Sequence, residues 1–401
     1  MEVYIVGVGP GREDYLTGYA RKIISEAELV IATGRLYDGL AHVNENTVCK
    51  KIDEIADSVI EARETFRTIA VLVSGDCSFY SGARQLRDRL ALAGITTVHN
   101  ISGISSLQYL TSAIGTSYED AKTISVHGRE GSIVPYVCYN RKVFSLTGGE
   151  IKAHTLIHQL LEAGLEDVMV TVGENLSAPD ERIVTGLARD LRNHTFTDLS
   201  LVFVQNDNFV QSSHPVRDNE MLRSTSPMTK YPIRALAVSL LDVRPTDTVL
   251  DIGAGTGSVA IALARAACEG WVFAVERNAA ALELLEENRK RLGAFNMSTI
   301  KATAPAGISD LPPVDKVFIG GSLGGLREIV EVISKKNPLV EFVVTAITLE
   351  TLASAVEVFK QDGRAFEIFH MATAEAQRQG NFTMMKGLNP VYLICGRNNV
   401  G

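Results

Sequence analysis

No Cys-x-x-Cys pair occurs in this chain. Its five cysteines, Cys49, Cys77, Cys138, Cys268 and Cys395, are scattered and odd in number. That excludes a disulfide framework or a cysteine zinc site as the organising feature, and the thiols read as free groups in a reducing compartment. The histidines make no ligand-spaced cluster, so no metal is expected. Long apolar runs are missing too. The longest stretch without Asp, Glu, Lys or Arg, residues 90–118, is broken by Gly94, Gly103, Gly115 and many hydroxyls, so no membrane span is expected. The start, MEVYIVGVGPG, has an acid at position 2 and lacks the basic region and cleavage site of a signal peptide. A cytoplasmic location is expected. Basic runs are absent as well: 47 acidic residues against 39 basic ones leave a net charge of −8, which argues against a nucleic-acid partner. No Walker-A pattern and no low-complexity tract is present.

What is there is an average globular composition, 46% hydrophobic, 21% charged and 6% aromatic, which excludes disorder, a collagen-like repeat and a coiled coil. At 401 residues the chain is long enough for two domains. Short apolar strands alternate with helical patterns in both halves. VYIVGV, LVIATG, TIAVLVSG, VMVTVGEN and LSLVFVQN mark the first, and TVLDIG, WVFAVE, KVFIGG, LVEFVVTAI, RAFEIF and NPVYLIC the second. This predicts an α/β fold with mostly parallel sheets. Helices are predicted at residues 82–92 and 154–163 among others. The polar stretch at residues 207–227, with Pro215 and Pro227, reads as a linker between domains at 1–206 and 228–401.

Asp251-Ile252-Gly253-Ala254-Gly255-Thr256-Gly257 follows a strand and precedes a helix whose apolar face is Val259, Ala262, Leu263, Ala266 and Ala267. Glycines here let backbone approach a ligand and leave amides free at a helix amino terminus. The next strand, WVFAV, ends in Glu276, placed to accept both hydroxyls of a ribose. A dinucleotide fingerprint would need Gly or Ala where Ser258 stands, and Asp251 sits badly beside a pyrophosphate. The acid suits a ligand with a cationic, amino-acid-like end, which is S-adenosylmethionine. A second loop, Ile319 to Gly325, follows the strand KVF and reads as a close approach to cofactor and substrate through Gly320 and Gly321.

The first glycine turn, Gly7-Val8-Gly9-Pro10-Gly11, only superficially matches. Pro10 removes an amide that would cradle phosphate, and the next strand, LVIATG, ends without an acid, Arg35 following instead. No Rossmann nucleotide site is expected here. Two further loops, Ser74-Gly75-Asp76-Cys77-Ser78 and Ile101-Ser102-Gly103-Ile104-Ser105-Ser106, read either as ligand loops or as ordinary turns capped by Asp and Ser.

With these motifs stated, the first half resembles the tetrapyrrole methylase family. The likeness rests on VGVGPG at 6–11, GRLYDGL at 34–40, VLVSGD at 71–76, ISGISSLQ at 101–108, ISVHGR at 124–129, LTGGEIKAHTLIHQLLEAG and VTVGENLSAPDERI. The second half resembles decarboxylating precorrin methyltransferases, through MTKYPIRA at 228–235, DIGAGTGS, VFIGGSLGGL, TAITLET at 345–351 and KGLNPVYLI. The order matches the fused precorrin-6B (precorrin-6Y) C5,15-methyltransferases of cobalamin biosynthesis. The resemblance implies a two-lobed tetrapyrrole methylase fold followed by a Rossmann-like class I methyltransferase domain. It implies C5 methylation by the first, and C15 methylation with loss of the C12 acetate carboxyl by the second, giving precorrin-8.

By resemblance, S-adenosylmethionine is bound in the first half by Pro10, Ser74, Gly75, Asp76, Ser105 and Ser106, with Gly7 and Gly9 facing the tetrapyrrole. In the second half the resemblance points to Thr229, Gly253 through Gly257, Glu276 and Ala304, beside Asp251. Two departures stand out. Cys77 takes the place of a family proline, which implies a looser loop, and Thr303 that of a family acid. The many carboxylates of the substrate call for arginines, the candidates being Arg12, Arg35, Arg129 and Arg234. His127 could orient a carboxylate. No general base is apparent. The resemblance also implies a homo-oligomer. Alternatives stay open: a cobalt-precorrin substrate, or an RNA or small-molecule methyltransferase with one non-catalytic half.

Overall fold

A computed structural model describes residues 1–126, 131–223, 228–322 and 324–398. It divides into two compact units. One comprises Met1–Gly131, Lys142–Ile157 and Met169–Val204; the other comprises Ser132–Arg141, His158–Val168 and Gln205–Gly401. The polar stretch read as a linker belongs to the second, where Val216 and Met221 are buried in its core. Arg129 and His127 lie outside the described residues.

The first unit holds two five-stranded sheets. In one, β1 (Glu2–Gly7), β2 (Leu29–Ala32), β3 (Thr47–Cys49), β4 (Thr68–Val73) and β5 (Val98–Ile101) lie in the order β3-β2-β4-β1-β5, all parallel. Val3, Ile5, Val6 and residues 69–72 are buried on both faces, hence the near-continuous apolar runs. The other orders β6 (Ala121–Ser125), β7 (Lys142–Leu146), β8 (Met169–Glu174), β9 (Arg182–Leu187) and β10 (Ser200–Gln205) as β6-β7-β10-β8-β9. Here β6 and β7 are parallel, and β8 and β9 form an antiparallel pair.

The second unit is built on β11 (Thr248–Ile252), β12 (Trp271–Glu276), β13 (Met297–Lys301), β14 (Lys316–Ile319), β15 (Glu341–Ala346), β16 (Ala365–Met371) and β19 (Val391–Arg397), ordered β13-β12-β11-β14-β15-β19-β16. The first five are parallel. The sheet is mostly parallel as expected, and only β19 departs, running antiparallel to both β15 and β16. Between β16 and β19 in the chain, β17 (Ala374–Gln379) and β18 (Phe382–Gly387) form a two-stranded hairpin. The strand order reverses beside β11, so the crevice at the carboxyl ends of β11 and β14 is where such a sheet takes its ligands.

The predicted helices form at Ala83–Leu92 and Ala153–Ala163. The helix after the second glycine turn, Ser258–Ala266, buries Val259, Ala260, Ile261, Leu263 and Ala264 against the sheet. Asn278 caps Ala279–Arg291, its side chain accepting from the amides of Ala280 and Ala281, which fixes the chain just beyond Glu276.

Candidate functional site

In the first unit three loops converge at the carboxyl ends of β1, β4 and β5. Gly9 and Gly75 exchange backbone hydrogen bonds of 3.1 and 2.7 Å. The packing beside them leaves no room for side chains. A Cβ on Gly103 would sit 2.4 Å from the Gly75 carbonyl oxygen and 2.5 Å from that of Gly7. Gly7 and Gly103 are therefore needed here for close packing of one loop on another, apart from any ligand, while Gly75 is favoured by its left-handed φ of +71°.

Asp76 accepts from the amides of Ser78 (2.9 Å) and Gly103 (3.0 Å). Burial pushes this carboxyl up, but hydrogen bonds from Ser78 and Gly103 outweigh it and hold it below its ordinary value. Ser105 is spent as the cap of the helix Ser106–Ala113, in a reciprocal box with Gln108. The turn-and-cap reading of these residues thus holds for Ser105. Cys77 does not loosen its loop. Its side chain is buried beside Ile5 and Ala83, with Sγ 3.2 Å from the Ile5 carbonyl and 3.1 Å from that of Ile101. Burial, with the Asp76 charge, pushes the thiol up to about 11.

Arg35 joins two of the loops by donating to the Pro10 carbonyl (2.9 Å) and the Ser74 hydroxyl (3.1 Å). Desolvation depresses its guanidinium below the ordinary value. Arg35 and Ser74 also line a cavity of about 550 Å³. Arg12 lies in solvent, paired with Asp14.

The second unit gathers its predicted residues more openly. Gly253 has a left-handed φ of +76°, and a Cβ there would approach the Gly321 amide nitrogen to 3.0 Å. Its amide and that of Ala254 both donate to the Val275 carbonyl, binding the turn to the end of β12. Around this turn lie two cavities. The smaller, about 300 Å³, is lined by Gly253, Gly255, Glu276, Asn278, Thr303, Ala304 and Gly321 among others. The larger, about 750 Å³, is lined by Thr229, Asp251, Gly253, Ala254, Gly255, Thr256, Gly320 and Gly321 among others. Gly257 lines neither; its left-handed backbone begins the helix Ser258–Ala266. Glu276 accepts from the amides of Gly255 (2.9 Å) and Asn278 (2.8 Å), which aims its carboxylate along the smaller cavity.

Asp251 is wholly buried, and neither carboxylate oxygen has a hydrogen-bond partner; the Thr256 hydroxyl is unpartnered as well. Burial, with the nearby Glu276 charge, pushes the Asp251 carboxyl up to about 7; the Ala260 amide, near but not placed for a hydrogen bond, offsets only part of this. A buried carboxylate without a partner is costly unless a cation arrives to meet it.

Arg234 corrects the sequence reading. It is buried and wholly committed, donating to the carbonyls of Thr229 (2.7 Å) and Val216 (2.6 Å) and to the Asp218 carboxylate (2.9 Å). It fixes the backbone of Thr229 and has no face left for a substrate. Sequence reasoning had sought arginines at this site and passed over Lys230, Ile347 and Lys386, which line the larger cavity. The run Gly320–Gly324 also spells Gly-x-Ser-x-Gly, the pattern of a nucleophile elbow, but among the described residues no histidine lines either cavity.

Comparison with known proteins matches each half separately. Residues 2–192 match the Tetrapyrrole (Corrin/Porphyrin) Methylases, and residues 220–396 match the Precorrin methyltransferase domain. A probable cobalt-precorrin-6B C(15)-methyltransferase (decarboxylating) of Pyrobaculum calidifontis is 35% identical over 170 residues, covering 42% of this chain and 87% of that one. A precorrin-6Y C(5,15)-methyltransferase [decarboxylating] of Sinorhizobium sp. is 27% identical over 325 residues, covering 79% of this chain and 78% of the relative. The crystal structure of a precorrin-6Y C5,15-methyltransferase from Geobacter metallireducens aligns with a TM-score of 0.44 at 34% identity, covering 46% of this chain and 97% of that one. One model follows the other along the chain, and the Sinorhizobium relative runs through both. The chain belongs to the decarboxylating precorrin-6Y C5,15-methyltransferase family.

Proposed function

We propose that the chain carries two methyl-transfer sites, the first half methylating C5 of a precorrin and the second methylating C15 and decarboxylating the C12 acetate. The chain is a decarboxylating, S-adenosylmethionine-dependent C-methyltransferase of cobalamin biosynthesis. The finer assignment takes residues 1–206 and 228–401 as carrying the two catalytic halves, with 207–227 packed into the second unit rather than standing as a free connection.

One observation carries the reading of the second half: the buried, unpartnered carboxylate of Asp251. It asks for a cationic ligand, and Glu276 beside it suits ribose hydroxyls. S-adenosylmethionine supplies an electrophilic methyl group on a sulfonium. In the second half Thr229, Asp251, Gly253, Ala254, Gly255, Thr256, Glu276 and Ala304 would hold it, with Gly257 serving to start the helix behind them. In the first half Pro10, Ser74, Gly75, Asp76 and Ser106 would do so, with Ser105 contributing backbone only, and with Gly7, Gly9, Arg12 and Arg35 toward the tetrapyrrole. The meso carbons of a reduced corrin precursor are themselves nucleophilic, so the residues have to orient and desolvate rather than form a covalent intermediate. For decarboxylation the conjugated ring accepts the electron pair left by carbon dioxide. The part of Gly320, Gly321 and their neighbours is to hold the ring and exclude water.

A homo-oligomer in the cytoplasm completes the proposal. No helix among the described residues is long and apolar enough to cross a membrane. Every residue of β17 and β18 is exposed, Phe382 by 75% and Met385 by 67%, and an isolated two-stranded hairpin is marginal on its own. A second copy is the occupant we propose for that face; light scattering at the mass of one chain would remove it.

The test of function is the product mass after incubation with S-adenosylmethionine and precorrin-6B, offered metal-free and with cobalt because relatives carry both substrate names. Two methyl groups gained and one carbon dioxide lost is the expected result. One methyl gained with carbon dioxide lost would leave the first half without activity. No change with either substrate would overturn the reading.

A further inference from the structure

We propose that Lys230 and Lys386, with the apolar surface of Ile347, anchor the carboxylate-rimmed macrocycle in the second half. The inference rests on the reading of that half as a tetrapyrrole site and supplies the anchoring residues it lacks. The larger cavity carries charge of both signs. Its charged lining residues are Asp251, at the glycine turn, and Lys230 and Lys386. An amine belongs with the first and carboxylates with the other two.

Neither lysine has an ion-pair or hydrogen-bond partner among the described residues. Glu375 stands opposite Lys386 in the β17–β18 register, yet the two form no ion pair. Lys230 precedes the helix Tyr231–Leu241, and its side chain caps nothing. Arg234, the cation that sequence would choose, is turned inward and occupied. Ile347 lines the same cavity while 73% exposed. An isoleucine left in water at a cavity wall flanked by ammonium groups matches a flat apolar ring with charged side chains at its edge.

Lysine suits this task because a mobile point charge can follow carboxylates that differ in position, where an arginine fork demands one geometry. The two ammonium groups should hold carboxylates that do not react. An ammonium paired with the departing carboxylate would stabilise it before carbon–carbon cleavage and slow its loss. Anchoring of this kind strengthens ground state and transition state alike, so it appears in KM and leaves kcat nearly unchanged.

The experiment uses the full chain, saturating S-adenosylmethionine and precorrin-6B, with carbon dioxide release as the signal from the second half. Lys230→Ala and Lys386→Ala should each raise KM for the tetrapyrrole by about fivefold, with kcat changed by less than about twofold. Lys386→Arg keeps the charge but not the mobile point geometry, so its KM should fall between those of the parent and Lys386→Ala. KM of the parent should rise with ionic strength, that rise should flatten in the double alanine variant, and the affinity of the second half for S-adenosylmethionine should not move. Unchanged KM in an active parent background overturns the proposal alone. So does a fall in kcat or cofactor affinity that accompanies the KM change, because that marks damage to the fold. A parent chain that releases no carbon dioxide from metal-free or cobalt substrate overturns the tetrapyrrole reading itself, and the anchors go with it.

Discussion

The two glycine turns share a Gly-x-Gly-x-Gly spelling and solve different problems. In the first half the glycines press three loops together: Gly9 and Gly75 bond through their backbones, and Gly103 fits only because it lacks a side chain. In the second half the glycines hold a turn open beside two cavities, with an unsatisfied acid beneath it. The spelling records that backbone comes close to something. Whether that something is another loop or a ligand is told by the polar groups near by, which are paired at Asp76 and unpaired at Asp251.

The contrast breaks most sharply at Asp251. Its carboxyl takes a proton more readily folded than unfolded, so its contribution to stability is fully present below about pH 3.8. That contribution declines as the pH rises and is lost once the pH passes about 7. The ligand-free second half should therefore weaken between those limits by on the order of 4 kcal/mol. Trp271, the single tryptophan, lies in that half on β12, so its fluorescence in urea gives the midpoint directly. Asp251→Asn should remove the pH dependence and also weaken S-adenosylmethionine binding. A parent midpoint that stays level from pH 4 to pH 8 would refute the assignment.

Gly103→Ala attacks the other turn. The new methyl cannot enter without moving two carbonyls, which should cost about 3 kcal/mol. Circular dichroism should show earlier unfolding while the Trp271 midpoint holds still. Equal shifts in both signals would mean that the packing matters beyond the first half. Glu276→Ala should weaken cofactor binding in the second half by roughly 1–3 kcal/mol, because a carboxylate shared between amides and ribose hydroxyls is removed. Calorimetry that finds two sites of undiminished affinity would exclude that role. The smallest effect concerns Cys77: at pH 8, iodoacetamide should label exposed Cys49 and spare buried Cys77 until urea unfolds the chain. Early labelling of Cys77 would mean that its loop opens.

Much of this was legible from sequence because the signals are local. The strand before each glycine turn and the acid ending β12 follow from a few neighbouring residues. Of the face expected on Ser258–Ala266, Val259 and Leu263 are buried, but Ala262 and Ala266 are only half-buried, and Ala260, Ile261 and Ala264 are buried instead. What escaped depends on distant partners. Arg234 looks like any helical arginine until Val216 and Asp218, 18 and 16 residues away in sequence, close around it. RAFEIF and NPVYLIC announce strands but not direction, since pairing is set across the sheet. The hairpin did leave a trace in its turn pair, Gly380-Asn381, with Gly380 left-handed at +60°. Its strands bury nothing, so no hydrophobic pattern marked it.

The place of β19 has a consequence for synthesis. It lies between β15 and β16 and buries Leu393, Ile394 and Cys395, although every other strand of that sheet precedes it in the chain. The first sheet has all its strands once Ile101 has been made. The seven-stranded sheet must instead keep two edges apart until residues near 397 leave the ribosome. As the chain emerges from its amino end, the first sheet can fold early, whereas the later one waits with strand edges exposed, and that interval is when it is most open to mispairing.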